Sequence, residues 1–296
     1  MSGKRRRRSD GPPDARRGEA SGPGRRGGGS SSARRGEGPP SDRHLVPGER
    51  AVRELLDVAP DRIDVLWIDT RVRSRMADLE TMAEAAGVRV EPVTAVQLQQ
   101  RAPNVDARGV VAVASPRPLA DLEDLLPKTL EAEDGARRLW LALDGVVDPG
   151  NLGAILRSAE FFGVEGVFWP KDRAAGLTPA AVRSSAGASE RVPMAVVTNL
   201  ARALSQFRDA GAWIVGTVAE GGRPLRELAV PGALPSALVV VMGAEHSGLR
   251  RLTRERCDFL ATIDRRGAVA SLNVSAATAV VLAALASPSR EATPAD

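Results

Sequence analysis

The stretch ALVVVMGAEHSGLRRL (residues 237–252) joins the most apolar strand-like run of the chain to a Gly-rich turn. Its first six residues are all apolar, whereas a strand with one solvated face alternates apolar and polar side chains. The run therefore predicts a strand buried on both faces, as in a parallel sheet covered by helices. The turn places Gly243 and Glu245 at the carboxyl end of that strand, where such sheets bind ligands.

The sequence on both sides of this stretch repeats the pattern. Residues 137–288 alternate short apolar runs with segments long enough for helices, which predicts one parallel α/β domain. The predicted strands are RLWLALDG (138–145), VEGVFWP (164–170), PMAVV (193–197), AWIVGTV (212–218), ALVVVMG (237–243) and DFLATI (258–263). The predicted helices cover 152–162, 178–187, 199–210 and 273–285.

A smaller α/β domain is predicted over residues 44–115. Its predicted helices cover 48–60, 75–87 and 94–102, and its predicted strands cover 64–69, 88–93 and 109–115. Proline and acidic residues then predict a linker, 116–136, with a short helix at 119–126. Residues 1–43 and 289–296 contain almost no large apolar side chains and are predicted to be a disordered basic arm and a disordered tail.

The positive charge of the chain is concentrated in the predicted arm. Residues 1–43 carry 12 Lys and Arg against 5 Asp and Glu, so the other 253 residues carry a net charge of −3 out of the total of +4. The arm is compatible with a tether for RNA phosphates, with a solubilising tail or, less well, with a targeting signal. The basic balance of the whole chain therefore does not indicate a nucleic-acid-binding face on the folded part.

Composition also excludes several classes of protein. No apolar run approaches the roughly 18 residues that a membrane helix needs, and the N-terminus has no apolar core typical of a secretory signal. With one cysteine, Cys257, and two histidines, the chain cannot assemble an internal disulfide or the usual zinc-ligand spacings. We expect a cytoplasmic protein without membrane contact or bound metal.

Three segments carry polar residues at predicted strand ends. In DPGNLGAILRSAE (148–160), Asn151 is placed to cap a helix, and Arg157 is either solvated or aimed at a phosphate or ribose oxygen. In VMGAEHSGLRRL (241–252), Gly243 lets a ligand approach the backbone, and Glu245 is the one carboxylate of the turn. Glu245 could equally interact with the dipole of the next helix.

The third segment, SLNVSAATA (271–279), begins with three polar side chains at a predicted helix start. Capping accounts for one of Ser271, Asn273 and Ser275 but not readily for all three. Backbone groups of Ile263 and Leu272 would flank a pocket together with Gly243. The three segments thus predict a single site at one edge of the sheet.

In order, these segments read D-P-x-N-x-G-A-x-x-R-x-A, M-G-x-E-x-x-G and S-L-N-V-S, which resemble the three signature motifs of TrmH-type RNA ribose methyltransferases of the SPOUT superfamily. GERAVRELL (48–56) is similar to the opening of the ribosomal-protein-like RNA-binding domain of bacterial large-subunit rRNA guanosine-2'-O methyltransferases. The phrases WPKDR (169–173), VTNLAR (197–202) and LTRERCD (252–258) strengthen the resemblance. It covers roughly residues 44–287.

The resemblance implies a parallel-sheet domain with a C-terminal trefoil knot, a homodimer, S-adenosylmethionine as the cofactor and RNA as the substrate. A guanosine of 23S rRNA is the preferred target. The alternatives are a tRNA ribose methyltransferase and a non-catalytic RNA-binding factor of ribosome assembly. The implied cofactor contacts are Gly243, Ile263 and Leu272. The implied catalytic or RNA-positioning residues are Asn151, Arg157, Glu245, Ser271, Asn273 and Ser275.

Two further expectations follow from the resemblance. Arg157 is implied as the base that takes the 2'-hydroxyl proton, but a protonated guanidinium has no acceptor lone pair. Arg157 could instead bind an RNA phosphate while Glu245 or water takes the proton. The chain also departs from the family pattern, with Arg50 in place of the usual His and IDRRG (263–267) in place of I-P-M-x-G. Asp264 and Arg265 are therefore expected to alter the rim of the cofactor pocket.

Overall fold

The computed structural model describes residues 43–130, 137–230 and 232–286. The predicted basic arm, apart from Arg43, and the predicted tail lie outside these residues. So does the end of the predicted linker.

The first part of the chain forms a four-stranded sheet in the order β1-β4-β2-β3, in which β4 is antiparallel to β1 and β2, and β2 is parallel to β3. The strands are β1 (His44–Pro47), β2 (Ile63–Asp69), β3 (Val90–Val93) and β4 (Val110–Ala114). The helices are α1 (Glu49–Val58), α2 (Ala77–Ala85), α3 (Ala95–Arg101) and α4 (Leu122–Leu125), with short 3-10 helices at Pro60–Arg62 and Arg73–Met76. Helices α1, α2 and α3 pack against this sheet through apolar side chains, whereas Leu125 of α4 packs in a separate cluster with Trp140 and Phe168.

The second part forms a seven-stranded, entirely parallel sheet in the order β7-β6-β5-β10-β8-β11-β9. The strands are β5 (Arg138–Asp144), β6 (Gly166–Pro170), β7 (Met194–Val197), β8 (Trp213–Thr217), β9 (Arg223–Pro224), β10 (Ala237–Gly243) and β11 (Phe259–Thr262). The helices are α5 (Pro149–Phe161), α6 (Pro179–Ser185), α7 (Ala188–Arg191), α8 (Leu200–Asp209), α9 (Leu225–Leu228), α10 (Arg251–Arg254) and α11 (Val274–Leu285). The predicted parallel α/β class is confirmed, whereas the knot and the domain limits stay predictions.

Strand β10 shows why the apolar runs are continuous. Leu238, Val240 and Met242 pack into the apolar cluster on the side of α5 and α11, whereas Val239 and Val241 pack into the cluster on the side of α8. Both faces of the strand are therefore buried, so its sequence does not alternate between apolar and polar residues. No described helix combines the length and apolarity that crossing a bilayer requires.

Helix α5 begins three residues before the predicted start, which corrects the expected role of Asn151. The N-cap is Asp148, whose Oδ1 accepts a hydrogen bond from the Asn151 backbone N–H at 2.7 Å, and Pro149 occupies the first helical position. Proline is favoured there because its fixed φ suits a helix and its missing N–H would have no partner. The Asn151 side chain is thus free for another contact.

Helices that follow β6 pack against the four-stranded sheet. Val182 of α6 is fully buried in the core beneath that sheet. Arg191 of α7 donates hydrogen bonds to Glu54 and Asp57 of α1, each at 2.6 Å. These contacts fix α1 against α6 and α7.

A buried charged cluster, made of His44, Arg62, Arg117 and Glu190, lies at the same junction. Arg62 donates to Glu190 Oε2 at 2.6 Å, and the Glu190 side chain is fully buried. His44 Nε2, Arg117 Nη1 and Glu190 Oε1 are also buried, and none of them has a hydrogen-bond partner among the described residues. The cluster joins β1 and the segment before β2 to α7.

Candidate active site

Two strand ends and one helix start meet at the carboxyl edge of the large sheet. Gly243, at the end of β10, lies in register with Asp144, at the end of β5. Asn151 Nδ2 donates to Glu245 Oε1 at 3.0 Å, and Asn273 Nδ2 donates to the same oxygen at 2.7 Å. Asn273 Nδ2 also lies 2.9 Å from Asn151 Oδ1. One residue from each of the three predicted segments therefore joins a single hydrogen-bond network.

Asn273 links this network to the start of α11. Its Oδ1 accepts hydrogen bonds from the Ser275 backbone N–H at 2.9 Å and the Ser275 hydroxyl at 2.6 Å, and it caps the helix through Ala276 N–H at 3.4 Å. The oxygen of the amide thus caps α11 while its nitrogen holds Glu245. Capping and site assembly are functions of the same side chain.

Gly243 makes room for the backbone of its own turn. A Cβ at this position would lie 2.4 Å from the Gly248 carbonyl carbon and 2.7 Å from Leu249 N, distances that real Cβ atoms do not reach. The turn closes because Ala244 and Gly248 exchange backbone hydrogen bonds of 3.1 and 2.9 Å. Gly243 is therefore required because the backbone of its own turn passes close to it. This role was not predicted from the sequence.

Asp144 anchors the far end of the same turn, a role that was not predicted from the sequence. Its buried carboxylate accepts a hydrogen bond from Arg250 N–H at 2.8 Å and pairs with the Arg250 guanidinium. The available signal was a carboxylate ending an otherwise apolar strand. A buried charge of that kind needs partners.

A pocket of about 640 Å³ opens beside this network. Most of its walls come from three segments, residues 217–220, 242–249 and 261–272, and the rest from Arg254, Val274 and Ala277. Predicted residues Gly243, Ile263, Ser271 and Leu272 all line it, together with Glu245. The three pocket segments are contributed by the last third of the described chain.

The unusual rim residues of this pocket form ion pairs with neighbouring segments. Asp264 pairs with Arg226 of α9, and Arg265 lies 3.5 Å from Glu220, which follows β8. All four side chains are exposed, so each pair stabilises the rim only slightly. Asp264 and Arg265, which depart from the family pattern, therefore link the rim to the segments that carry Arg226 and Glu220.

Arg157 does not line this pocket. It lies on α5 beside a second cleft of about 400 Å³, which we call the interdomain cleft and which Arg50 of α1 also lines. Among the described residues, its guanidinium has no hydrogen-bond or ion-pair partner. Within one chain, Arg157 thus lines a different cleft from Glu245 and makes no hydrogen bond to Asn151, Glu245 or Asn273, while Asn151 and Asn273 adjoin the large pocket through Glu245 without lining it.

Comparison with known proteins gives consistent results. Residues 138–283 match the model of the SpoU rRNA Methylase family. The chain is 43% identical over 236 residues to the 23S rRNA (guanosine-2'-O-)-methyltransferase RlmB of Coxiella burnetii, which covers 79% of this chain and 92% of that protein.

Two solved structures share the fold. One is a putative RNA methyltransferase of the TrmH family from Porphyromonas gingivalis, with a TM-score of 0.61, 27% identity and coverage of 82% of this chain and 89% of that one. The other is an rRNA methyltransferase from Sinorhizobium meliloti with AdoMet bound, with a TM-score of 0.66, 24% identity and coverage of 82% and 87%.

Proposed function

Because this chain belongs to the SpoU rRNA methylase family, we propose that it transfers a methyl group from S-adenosylmethionine to the ribose 2'-hydroxyl of a guanosine in 23S rRNA. The network of Asn151, Glu245 and Asn273 beside the 640 Å³ pocket is the observation that carries this proposal. Similarity to RlmB over most of both chains supports the choice of rRNA. The activity belongs in the cytoplasm, with residues 44–115 as the RNA-binding domain and 137–288 as the methyltransferase domain.

The residues of the pocket fit S-adenosylmethionine. The volume of about 640 Å³ lies within the usual range for small-molecule sites. Apolar side chains, among them Ile263 and Leu272, offer a surface for a flat base, whereas Glu220 and Glu245 offer carboxylates to a cationic group. Gly243, Ile263 and Leu272 would hold the cofactor, which supplies an electrophilic methyl group when bound.

The chain's own residues must then position the ribose and remove its hydroxyl proton. Glu245 is held in place because Oε1 accepts hydrogen bonds from Asn151 and Asn273. Its Oε2 makes no hydrogen bond to any described residue, which leaves it available as the general base. Asn151, Asn273 and Ser275 fix that geometry, and Ser271 lines the pocket where it can contact the substrate.

Arg157 is assigned to the RNA rather than to the proton. A protonated guanidinium donates hydrogen bonds and accepts none, so it suits a phosphate or a developing alkoxide. Positioning of this kind contributes up to about 7–11 kcal/mol in well-oriented reactions. Arg157 is therefore proposed to orient the reacting nucleotide.

A homodimer would bring Arg157 to a cofactor pocket. Ala276, Val280 and Ala283 form an exposed apolar stripe along α11, a helix without a single charged residue. A helix that is apolar on all sides is normally buried. We assign the stripe to a second copy of this chain and propose that Arg157 of one protomer acts at the pocket of its partner.

The central experiment measures methylation and cofactor binding in an Arg157→Ala variant. We expect methylation of 23S rRNA to fall at least about 100-fold, the usual scale for losing a group that stabilises the reacting charge. Affinity for S-adenosylmethionine, measured by calorimetry, should stay within about twofold, because Arg157 is proposed to contact the RNA and does not line the cofactor pocket of its own chain.

Mapping of 2'-O-methyl sites in cells with and without the gene provides the control for substrate identity. Loss of a single guanosine methylation in 23S rRNA supports the proposal. Loss confined to tRNA would refute the choice of rRNA, and full turnover by Arg157→Ala would refute the assigned role of this residue. A protein that binds no S-adenosylmethionine would be a binding factor rather than an enzyme.

A further inference from the structure

The interdomain cleft brings two unpaired guanidinium groups together. Arg50 lies in the first turn of α1 and Arg157 near the end of α5, and both line the 400 Å³ cleft. Neither has a hydrogen bond or ion pair to any residue that the structure describes. A third lining arginine, Arg191, is already engaged by Glu54 and Asp57 at 2.6 Å.

The charge balance of this cleft favours an anion. Three arginines, Arg50, Arg157 and Arg191, and two carboxylates, Glu54 and Glu160, line the cleft, so its lining carries a formal net charge of +1. Arg191 is shared between Glu54 and Asp57, which leaves Glu160 as the lining carboxylate without an ion pair among the described residues. Two free guanidinium groups therefore face one free carboxylate. The planar fork of N–H donors on arginine matches a phosphate group.

An aromatic ring lies beside these charges. Phe161 is 81% exposed and contacts Phe162 edge-on, with ring centroids 5.0 Å apart and an interplanar angle of 84°. This exposed fraction is large for an apolar side chain, because contact with water does not stabilise an apolar ring. RNA-binding proteins stack unpaired bases on such rings. Arg50 and Arg157 beside the ring can bind the phosphate of the same nucleotide whose base would stack on it.

We propose that the interdomain cleft binds one nucleotide of the RNA substrate, with its phosphodiester on Arg50 and Arg157 and its base on Phe161. This inference rests on the proposed function, since it takes RNA as the substrate. It makes α1 of the small domain part of the reaction site rather than of a remote recruitment surface. Arg50, the residue that departs from the family pattern, then acts as a positioning residue.

The test compares Arg50→Ala with Arg50→Lys and with Arg208→Ala, an exposed arginine on α8. We expect Arg50→Ala to raise the KM for RNA about 10-fold with kcat within about twofold, as for the loss of one charge-assisted contact. The slope of log affinity against log salt should fall by roughly 0.7–0.9, the change for one phosphate contact. Arg50→Lys should keep the wild-type slope, and Arg208→Ala should change neither quantity.

The base contact is tested separately with Phe161→Leu and Phe161→Trp. Phe161→Leu should weaken RNA binding about 10-fold because the stacking surface is lost. Phe161→Trp should bind RNA as the wild type does, because it keeps an aromatic ring. Sedimentation velocity on both variants shows whether the ring instead contacts a second copy of the chain. Dissociation of the dimer by Phe161→Leu would overturn the proposal.

Failure of this inference can be distinguished from failure of the proposed function. A wild-type protein that binds S-adenosylmethionine and methylates RNA, beside an Arg50→Ala variant with unchanged KM and salt slope, overturns the cleft assignment alone. A wild-type protein that neither binds nor methylates RNA overturns the proposed function, and the cleft assignment with it. Stronger RNA binding by Glu160→Gln would support the charge balance described above.

Discussion

Gly243 shows how one missing side chain shapes the cofactor pocket. Replacing it with alanine would push a Cβ against the backbone at Gly248 and Leu249, and backbone cannot move aside as a flexible side chain can. Overpacking of this kind costs about 1–3 kcal/mol. We expect Gly243→Ala to lower affinity for S-adenosylmethionine about 10-fold or more, measured by calorimetry.

The matched control is Gly176→Ala. Nothing lies within 4 Å of a Cβ built at Gly176, and its φ is not in the left-handed region. Cofactor affinity should therefore be unchanged in this variant. Equal affinities of the wild type and Gly243→Ala would show that the turn adapts to a side chain.

The motifs predicted correctly which side chains lie close together, whereas the roles assigned to these residues stay predictions. Asn151, Glu245 and Asn273 are far apart in sequence, yet they meet as expected because all three follow elements that end or begin at one sheet edge. The assignment of Asn151 as N-cap was wrong, because Asp148 followed by Pro149 starts the helix earlier. The separation of Arg157 from this group could not be predicted, since the direction in which a helical side chain points depends on tertiary packing.

At the scale of elements, helix α11 carries the test of the proposed dimer. Its exposed stripe of Ala276, Val280 and Ala283 would be desolvated between two copies of the chain. A charge buried there without a partner is costly. We expect Val280→Lys to sediment as a monomer where the wild type sediments as a dimer, and to lose methylation.

Val96→Lys serves as the control for this substitution. Val96 is an exposed valine of α3, beside the four-stranded sheet and away from α11. Its replacement should leave the sedimentation coefficient and the activity unchanged. Dimers of undiminished stability in Val280→Lys would rule out this face as the interface.

Element length decided which secondary structure could be predicted. The long apolar strands β5 and β10 were predicted within one residue of their observed bounds, since burial on both faces leaves an unmistakable composition. Strands β1 and β9 and helices α7, α9 and α10 were not predicted. Each has four residues or fewer and, unlike the equally short β3, β7, β11 and α4, does not lie within a longer predicted segment.

At the scale of the whole molecule, the buried charged cluster makes stability depend on pH. Burial lowers the pKa of His44, and Arg62 adds to this effect, while Glu190 opposes it. In the unfolded chain the imidazole titrates near its usual value of 6.5. Between the two values the unfolded state binds more protons, so the free energy of unfolding rises with pH. The stability that neutral His44 provides above pH 6.5 is therefore lost as pH falls through that window.

We expect His44→Gln to reduce the loss of stability between pH 7.5 and about 5.5, as measured by urea unfolding at several pH values. His246→Gln, at the exposed second histidine, should keep the wild-type dependence. Asp69, whose pKa is lowered by its hydrogen bond with Arg71, contributes stability that is constant above its usual value of 3.8 and is lost only below it, so it does not affect this pH range. Identical pH profiles for the wild type and His44→Gln would contradict the role of this cluster.

The order of the pocket walls along the chain bears on when the protein can work during its own synthesis. A nascent chain that has reached residue 230 already contains all four strands of the first sheet and one pocket segment, 217–220. The segments 242–249 and 261–272 are still to be made, and so is α11, whose N-cap Asn273 holds Glu245. A nascent chain could thus bind its methyl donor only after the residues up to and including α11 have been made.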